Sequence, residues 1–258
     1  MIVVKTAIPI IAALLTVSSF AAEEPIRYGG SSTIGKFITD AAAIYGKSRF
    51  RVHTRIESAG GERCVADGSC DIGGVARQVD DKWLAQGLAK TLIGRDAVAV
   101  IVNNDNRIDA LSKGDLRAIF TGQLSNWSEL GGPDVPITPY IVTEASATHT
   151  VFRDVILNGA EYAGATATAP DSKIVTRVAS QPGAIGQISL SFLRHNSSVK
   201  PLSIDGEPAS VDNPTYPISR PLYLLTRADA HARIKDFIDW VLSEEGQAII
   251  RYRFVGVR

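Results

Sequence analysis

Tyr28-Gly29-Gly30-Ser31-Ser32-Thr33-Ile34-Gly35-Lys36-Phe37 carries the chain out of an extended run, through two glycines and three hydroxyl residues, into a helical pattern at Phe37, Ile38, Ala41 and Tyr45. A helix N-terminus holds amides with no intrahelical acceptor and about half a positive charge. Hydroxyl residues there either cap the helix or join those amides in holding an anion. The same order of strand, small hydroxyl residues and helix recurs at Ser58-Ala59-Gly60-Gly61 and at Ser146-Ala147-Thr148. In open α/β sheets, ligands sit beyond the carboxyl ends of strands, where such turns converge. The residues alone leave two readings open: three separate caps, or one shared oxyanion site.

Around these turns, strand and helix patterns alternate. Residues 26–29, 50–56 and 71–77 read as strands, the last broken by glycines. Residues 97–102 form a continuous apolar run, expected to be a strand buried on both faces. Ser112-Lys113-Gly114-Asp115 is a capping-box start for a helix with Leu116, Ile119 and Phe120 inward. Trp127 is the anchored aromatic of the loop that follows. Residues 137–142, 187–190 and 221–226 read as further strands. An amphipathic helix carrying Ile234, Phe237, Ile238, Val241 and Leu242 comes near the end, and a short helix restarts after Ser243. This alternation predicts an α/β fold with mostly parallel sheets.

Of 258 residues, 45% are hydrophobic and 21% charged, and 27 Lys plus Arg balance 27 Asp plus Glu. That balance argues against nucleic acid or an anionic membrane as a partner, since such surfaces need a basic excess. Residues 1–22 read as a secretory leader, with Lys5 in the charged region, an apolar core over 7–17 and a small-x-small site at Ser19-Phe20-Ala21. The apolar core is too short for a membrane span. No Cys follows it to take a lipid anchor, so a soluble periplasmic or secreted protein is expected. Cys64 and Cys70 fit that oxidising compartment. A disulfide closing a short loop is favoured over a two-Cys metal site, because no His lies nearby in sequence to complete a ligand set.

Several stretches in family order resemble the phosphate-binding proteins of high-affinity phosphate ABC importers, within the periplasmic substrate-binding superfamily. They are Gly30-Ser31-Ser32-Thr33, Glu57-Ser58-Ala59-Gly60-Gly61 with Asp71-Ile72-Gly73, and Asp115-Leu116-Arg117-Ala118-Ile119-Phe120-Thr121-Gly122 with Asn126-Trp127. Further on come Leu130-Gly131-Gly132-Pro133, Pro182-Gly183-Ala184-Ile185-Gly186, Leu202-Ser203-Ile204-Asp205-Gly206 and Tyr216-Pro217-Ile218-Ser219-Arg220-Pro221-Leu222-Tyr223. The resemblance implies a two-lobed α/β periplasmic-binding-protein fold of type II, each lobe a mostly parallel sheet flanked by helices. Its two crossing strands are expected at residues 97–103 and near 220–226. Lobe one is then residues 23–100 plus 221–258, and lobe two residues 101–220. It also implies a monomer that captures phosphate or a close oxyanion in the interlobe cleft and passes it to ABC permease subunits. Carried over position by position, the anion contacts fall on Ser32 and Thr33 of the first turn, Ser58 of the second, and Ser146, Ala147 and Thr148 of the third, with Ser31 of the first turn as a further candidate.

Two charged positions depart from that pattern. Val142 stands where the family has an Arg four residues before the third serine, and Ala76 stands where many members have an Asp or Ser. Arg77 is therefore the expected substitute cation, with pairing to a surface carboxylate as its competing role. His149 is expected to face solvent. If the altered positions abolish transport, the fold serves instead as a sensor or interaction module with changed specificity. An enzyme is not expected: the histidines His53, His149, His195 and His231 come with no nucleophile elbow, metal-ligand pair or nucleotide-binding loop.

Overall fold

The computed structural model describes residues 24–194 and 196–257; the leader expected over residues 1–22 and His195 lie outside them. The chain opens with β1 (Ile26–Gly30), α1 (Ser32–Tyr45), β2 (Phe50–His53), α2 (Glu57–Ala66), β3 (Ile72–Val75), α3 (Asp81–Ala85) and the long β4 (Leu88–Asn103). It continues through β5 (Ala110–Leu111), α4 (Lys113–Phe120), β6 (Thr138–Val142), α5 (Ala147–Ile156), β7 (Thr166–Thr168), α6 (Lys173–Ala179) and β8 (Ala184–Ser189). After β9 (Val199–Pro201) and β10 (Ser203–Ile204), β11 (Ser219–Arg227) leads to α7 (Ala232–Leu242), α8 (Glu244–Arg251) and β12 (Val255–Gly256).

Local chemistry explains most of these boundaries. Ser31 caps α1, its hydroxyl accepting from the Ile34 amide, and Gly46 ends that helix in the left-handed conformation. The capping box expected at α4 is present, with Ser112 and Asp115 each holding the other's amide at 3.0 and 2.9 Å. Ser146 and Ser243 cap α5 and α8 with their hydroxyls, accepting from the Thr148 and Gly246 amides. The inward faces are the periodic ones: Ile34, Phe37, Ile38 and Ala41 on α1, and Ile234, Phe237 and Val241 on α7, are buried. Each large apolar side chain so buried contributes about 1.5–3 kcal/mol. Trp127 is fully buried, and its indole N–H donates to the Gly183 carbonyl at 3.0 Å.

One curled sheet runs in the order β2-β1-β3-β11-β4-β8-β6-β7, with β9 and β12 also pairing with β4. Within each half the strands are parallel: β1 with β2 and β3, and β6 with β7 and β8. The crossing strands bring the antiparallel pairings. β4 pairs with β11 over residues 88–97, then with β8 and β9 over residues 98–103. The handover falls at Ala97 and Val98, at the start of the apolar run expected to be buried on both faces. Val98, Val100 and Val102 enter one hydrophobic core, and Ala99 and Ile101 another. β4 begins nine residues before that run, because Lys90, Arg95 and Asp96 interrupt the apolar pattern of its first half.

Glycines let three elements meet at the end of β1. Gly30 has φ +134°, and a Cβ there would lie 2.4 Å from the Gly74 carbonyl oxygen. A Cβ at Gly61 would lie 2.8 Å from the same oxygen, so α2 can rest on the strand ends only without side chains. The Cys64–Cys70 disulfide forms, with its Cα atoms 5.1 Å apart, and lies over Gly29. Gly30→Ala is expected to lower unfolding free energy by more than the usual cost of such a backbone conformation, about 1–3 kcal/mol, because its Cβ also overlaps the Gly74 backbone; the loss is read as a reduced urea midpoint.

Candidate functional site

The first and third turns are brought together on one buried cation. Arg220, on β11, is buried and pairs through Nε and Nη2 with Asp96 Oδ2 at 3.0 and 2.8 Å. Its Nη2 also donates to the Thr33 hydroxyl at 3.1 Å, and its Nη1 to the Thr148 hydroxyl at 2.8 Å. Thr33 lies in the first turn of α1 and Thr148 in the first turn of α5. Asp96 is buried as well and accepts from the Ser189 hydroxyl at 3.0 Å. Burial raises the Asp96 pKa, against the opposing pull of Arg220.

The hydroxyls divide according to what they accept. Ser31 Oγ accepts from the Ile34 amide, and Ser58 Oγ accepts from the Ala76 amide at 3.2 Å. Thr33 and Thr148 accept from Arg220, so each of these four retains its own O–H proton to donate. Ser32 Oγ is buried with no hydrogen-bond partner among the described residues. Ser146 differs: it accepts from the Thr148 amide and donates to Asp171 Oδ2 at 2.6 Å. Ala147 is buried and packs into the core cluster that contains Tyr28, Ile34 and Ala76, so the third turn sits against the first half of the sheet. The Ala59 amide donates to the Ala145 carbonyl at 3.2 Å, joining the second turn to the third. Lys36 of α1 lies 4.3 Å from the ring centroid of Phe192, a further contact across the cleft.

Two carboxyls complete the site. Glu57 adopts φ 49°, is buried, and accepts from the Ser32 amide at 3.0 Å. Its pKa rises from 4.5 to about 8, first because it is buried and second because Asp171 places a like charge nearby. Burial likewise raises Asp171 from 3.8 to about 6, although Ser146 and Arg220 oppose the shift. Both acids line a cavity of about 390 Å³ whose wall also carries Arg55, Thr143 and Lys173. The second turn is thus not a loop before a helix: β2 ends at His53, and Glu57 to Gly61 form the first turns of α2 itself.

The Arg77 guanidinium makes a bidentate pair with Glu62 at 2.7 and 2.8 Å and also donates to the Gln78 carbonyl. Val142 is buried in an apolar core, and Ala76 is buried with its amide on Ser58. His149 does not face solvent: it is buried against Tyr162, ring centroids 4.6 Å apart, because the loop after α5 folds back over that helix. Burial holds its pKa below the ordinary imidazole value. Arg220, Asp96, Glu57 and Asp171 were not singled out as site residues from the sequence. The available signal was a lone acid and a lone base, each at the edge of an apolar crossing strand.

A buried cation with hydroxyls and helix N-termini around it, enclosed between two α/β lobes, defines a solute-binding protein of the two-lobed class. Residues 16–245 match the family described as the PBP superfamily domain, and the chain belongs to that superfamily. It is 30% identical over 236 residues to the phosphate-binding protein PstS of Bacillus subtilis, covering 87% of this chain and 77% of that one. PstS of Borreliella burgdorferi is 22% identical, with 92% and 91% covered. Among solved structures, the chain is similar to a Clostridium perfringens protein described as a phosphate ABC transporter substrate-binding protein with bound phosphate. The TM-score is 0.85 at 26% identity, covering 91% of this chain and all of that one. A phosphate transport receptor from Vibrio cholerae shares the fold, with a TM-score of 0.73 at 23% identity, covering 90% of this chain and all of that one.

The carboxyl pair sets a pH dependence of stability. A carboxyl raised in the folded state keeps a proton that the unfolded chain releases above pH 4.5, so its contribution is complete below that value and is lost as pH rises through about 8. In anion-free buffer, the melting temperature is therefore expected to fall between pH 5 and pH 8.5, and Glu57→Gln to flatten the slope. Thermal unfolding of both proteins across that range checks it.

Proposed function

We propose that this protein captures inorganic phosphate, or a closely related oxyanion, between its lobes and delivers it to the permease of an ABC importer. The observation that carries this reading is the meeting of the first and third turns on one cation, Thr33 and Thr148 on Arg220, with the second turn joined to the third through the Ala59 amide on the Ala145 carbonyl. A desolvated oxyanion requires many donors in fixed directions, and charge-assisted ones are the strongest. The three turns begin α1, α2 and α5, whose first amides and dipoles add to the same field. The phosphate-binding relatives and the phosphate-bound neighbour support the choice of anion.

In this reading the site residues are the six carried over from the family together with Ser31 and Arg77, with one change of emphasis. Arg77 serves at the outer wall of the cleft, on Glu62, while Arg220 takes the central position. Residues 23–100 with 221–258 form lobe one and residues 101–220 lobe two, and bending of β4 and β11 opens the cleft. The protein acts as a monomeric binding component outside the cytoplasm, with residues 1–22 as its export signal, and performs no chemistry on the ligand.

Isothermal titration of protein stripped of endogenous anion is the test. Saturable heat with phosphate is expected; none with phosphate, arsenate or sulfate would falsify the reading. Ser32→Ala supplies a sharper check, because the hydroxyl it removes has no hydrogen-bond partner among the described residues. That variant is expected to melt within about 1 °C of the parent, since no hydrogen bond within the described residues is lost, yet to bind phosphate about tenfold more weakly.

A further inference from the structure

The geometry points to Arg220 as the charge-bearing residue of the anion site, positioned by Asp96 and acting on the ligand through the hydroxyls of Thr33 and Thr148. This inference rests on the oxyanion reading above and names how that site obtains its positive charge without an Arg at position 142 or a free Arg77.

A guanidinium has five N–H donors. Four are used: one on Nε and one on Nη2 go to Asp96, the other on Nη2 goes to Thr33, and one on Nη1 goes to Thr148. The second Nη1 hydrogen has no protein acceptor among the described residues, and it belongs to the nitrogen that already reaches the third turn. A threonine hydroxyl that accepts from a cation has its own proton polarised outward, and successive hydrogen bonds reinforce one another in a low-dielectric site. The pair of threonines thereby presents one buried charge to an anion from two directions. They are also far apart in the chain, 187 and 72 residues from Arg220, and they belong to the turns after β1 and β6. The guanidinium consequently reports whether the two turns are together.

Asp96 fixes the fork. It is the direct cross-strand neighbour of Arg220 in the β4–β11 ladder, and Ser189 of β8 holds its second oxygen. A flexible stem anchored this way presents its remaining donors in one orientation, which a lysine ammonium on the same strand cannot do.

The test is phosphate titration, alongside melting curves, of the parent protein, Arg220→Lys, Arg220→Gln and the double variant Arg220→Gln/Asp96→Asn. The double variant removes both buried charges and keeps hydrogen-bonding side chains at both positions, so a purely structural role for the pair predicts that it regains parental affinity once its melting temperature is restored. We expect it to remain about 100-fold weaker, the loss of two charge-assisted bonds. Arg220→Lys is expected to bind more tightly than Arg220→Gln, because charge is retained, yet about tenfold more weakly than the parent, because the fork is lost. Parental affinity in the double variant, or equal affinities for the Lys and Gln variants, overturns the inference while leaving phosphate binding standing. If the double variant does not fold, the Lys-against-Gln comparison decides alone. A parent protein that binds no phosphate overturns both readings together.

Discussion

The buried pair of Arg220 and Asp96 sits where the two crossing strands lie side by side, and the site is arranged around it. A buried ion pair is a poor source of stability, because removing two charges from water costs several kcal/mol that their attraction returns only with excellent geometry. Here the geometry is supplied by a strand ladder that places the residues opposite one another and by three hydroxyls that occupy most of the remaining donors and acceptors. What such a pair gains is definition of position. The cation is held at the junction of the lobes, with a hydroxyl from each side in contact with it.

Close approach of backbone makes that junction possible. Gly30, Gly61 and Gly74 let β1, α2 and β3 meet at distances that any side chain would prevent. These glycines forgo apolar burial, and the cost is offset by the aromatic and aliphatic cores on either side of the sheet. The same crowding brings the Glu57 carboxyl onto the Ser32 amide. A carboxyl there is a compromise: it satisfies a helix-terminal donor, and its raised pKa lets it do so largely without charge at neutral pH.

Much of this architecture was legible in the sequence because its causes are local. Caps at Ser31, Ser112, Ser146 and Ser243 and the apolar periodicity of α1, α4 and α7 are decided within a few residues of chain. The disulfide followed from compartment and spacing. The parts that were not legible depend on contacts between distant residues. Arg220 stood in plain view between Ser219 and Pro221, but its partners lie 72, 124 and 187 residues away, so no window on the chain could show that it, rather than Arg77, meets the turn hydroxyls. Glu62, the acid that holds Arg77, sits on the polar-looking side of a helix and gives no sign of being buried. Asp171 reads as an ordinary loop acid after Pro170, although it closes on Ser146 and raises the pKa of Glu57. His149 is a related case: its own helix would expose it, and the returning Tyr162 packs against it.

The location of Arg220 on a crossing strand, instead of within a lobe, has a bearing on how the cleft lets go. In the proposed hinge motion Arg220 would stay with Asp96, while Thr33 and Thr148 would move away with their own turns. Each departure would remove one donor–acceptor link from the guanidinium, so the field at the site would decline with the opening angle. Grip and aperture would then be a single mechanical variable. A membrane partner that prises the lobes apart would weaken the hold on its cargo in the same stroke, with no separate release signal.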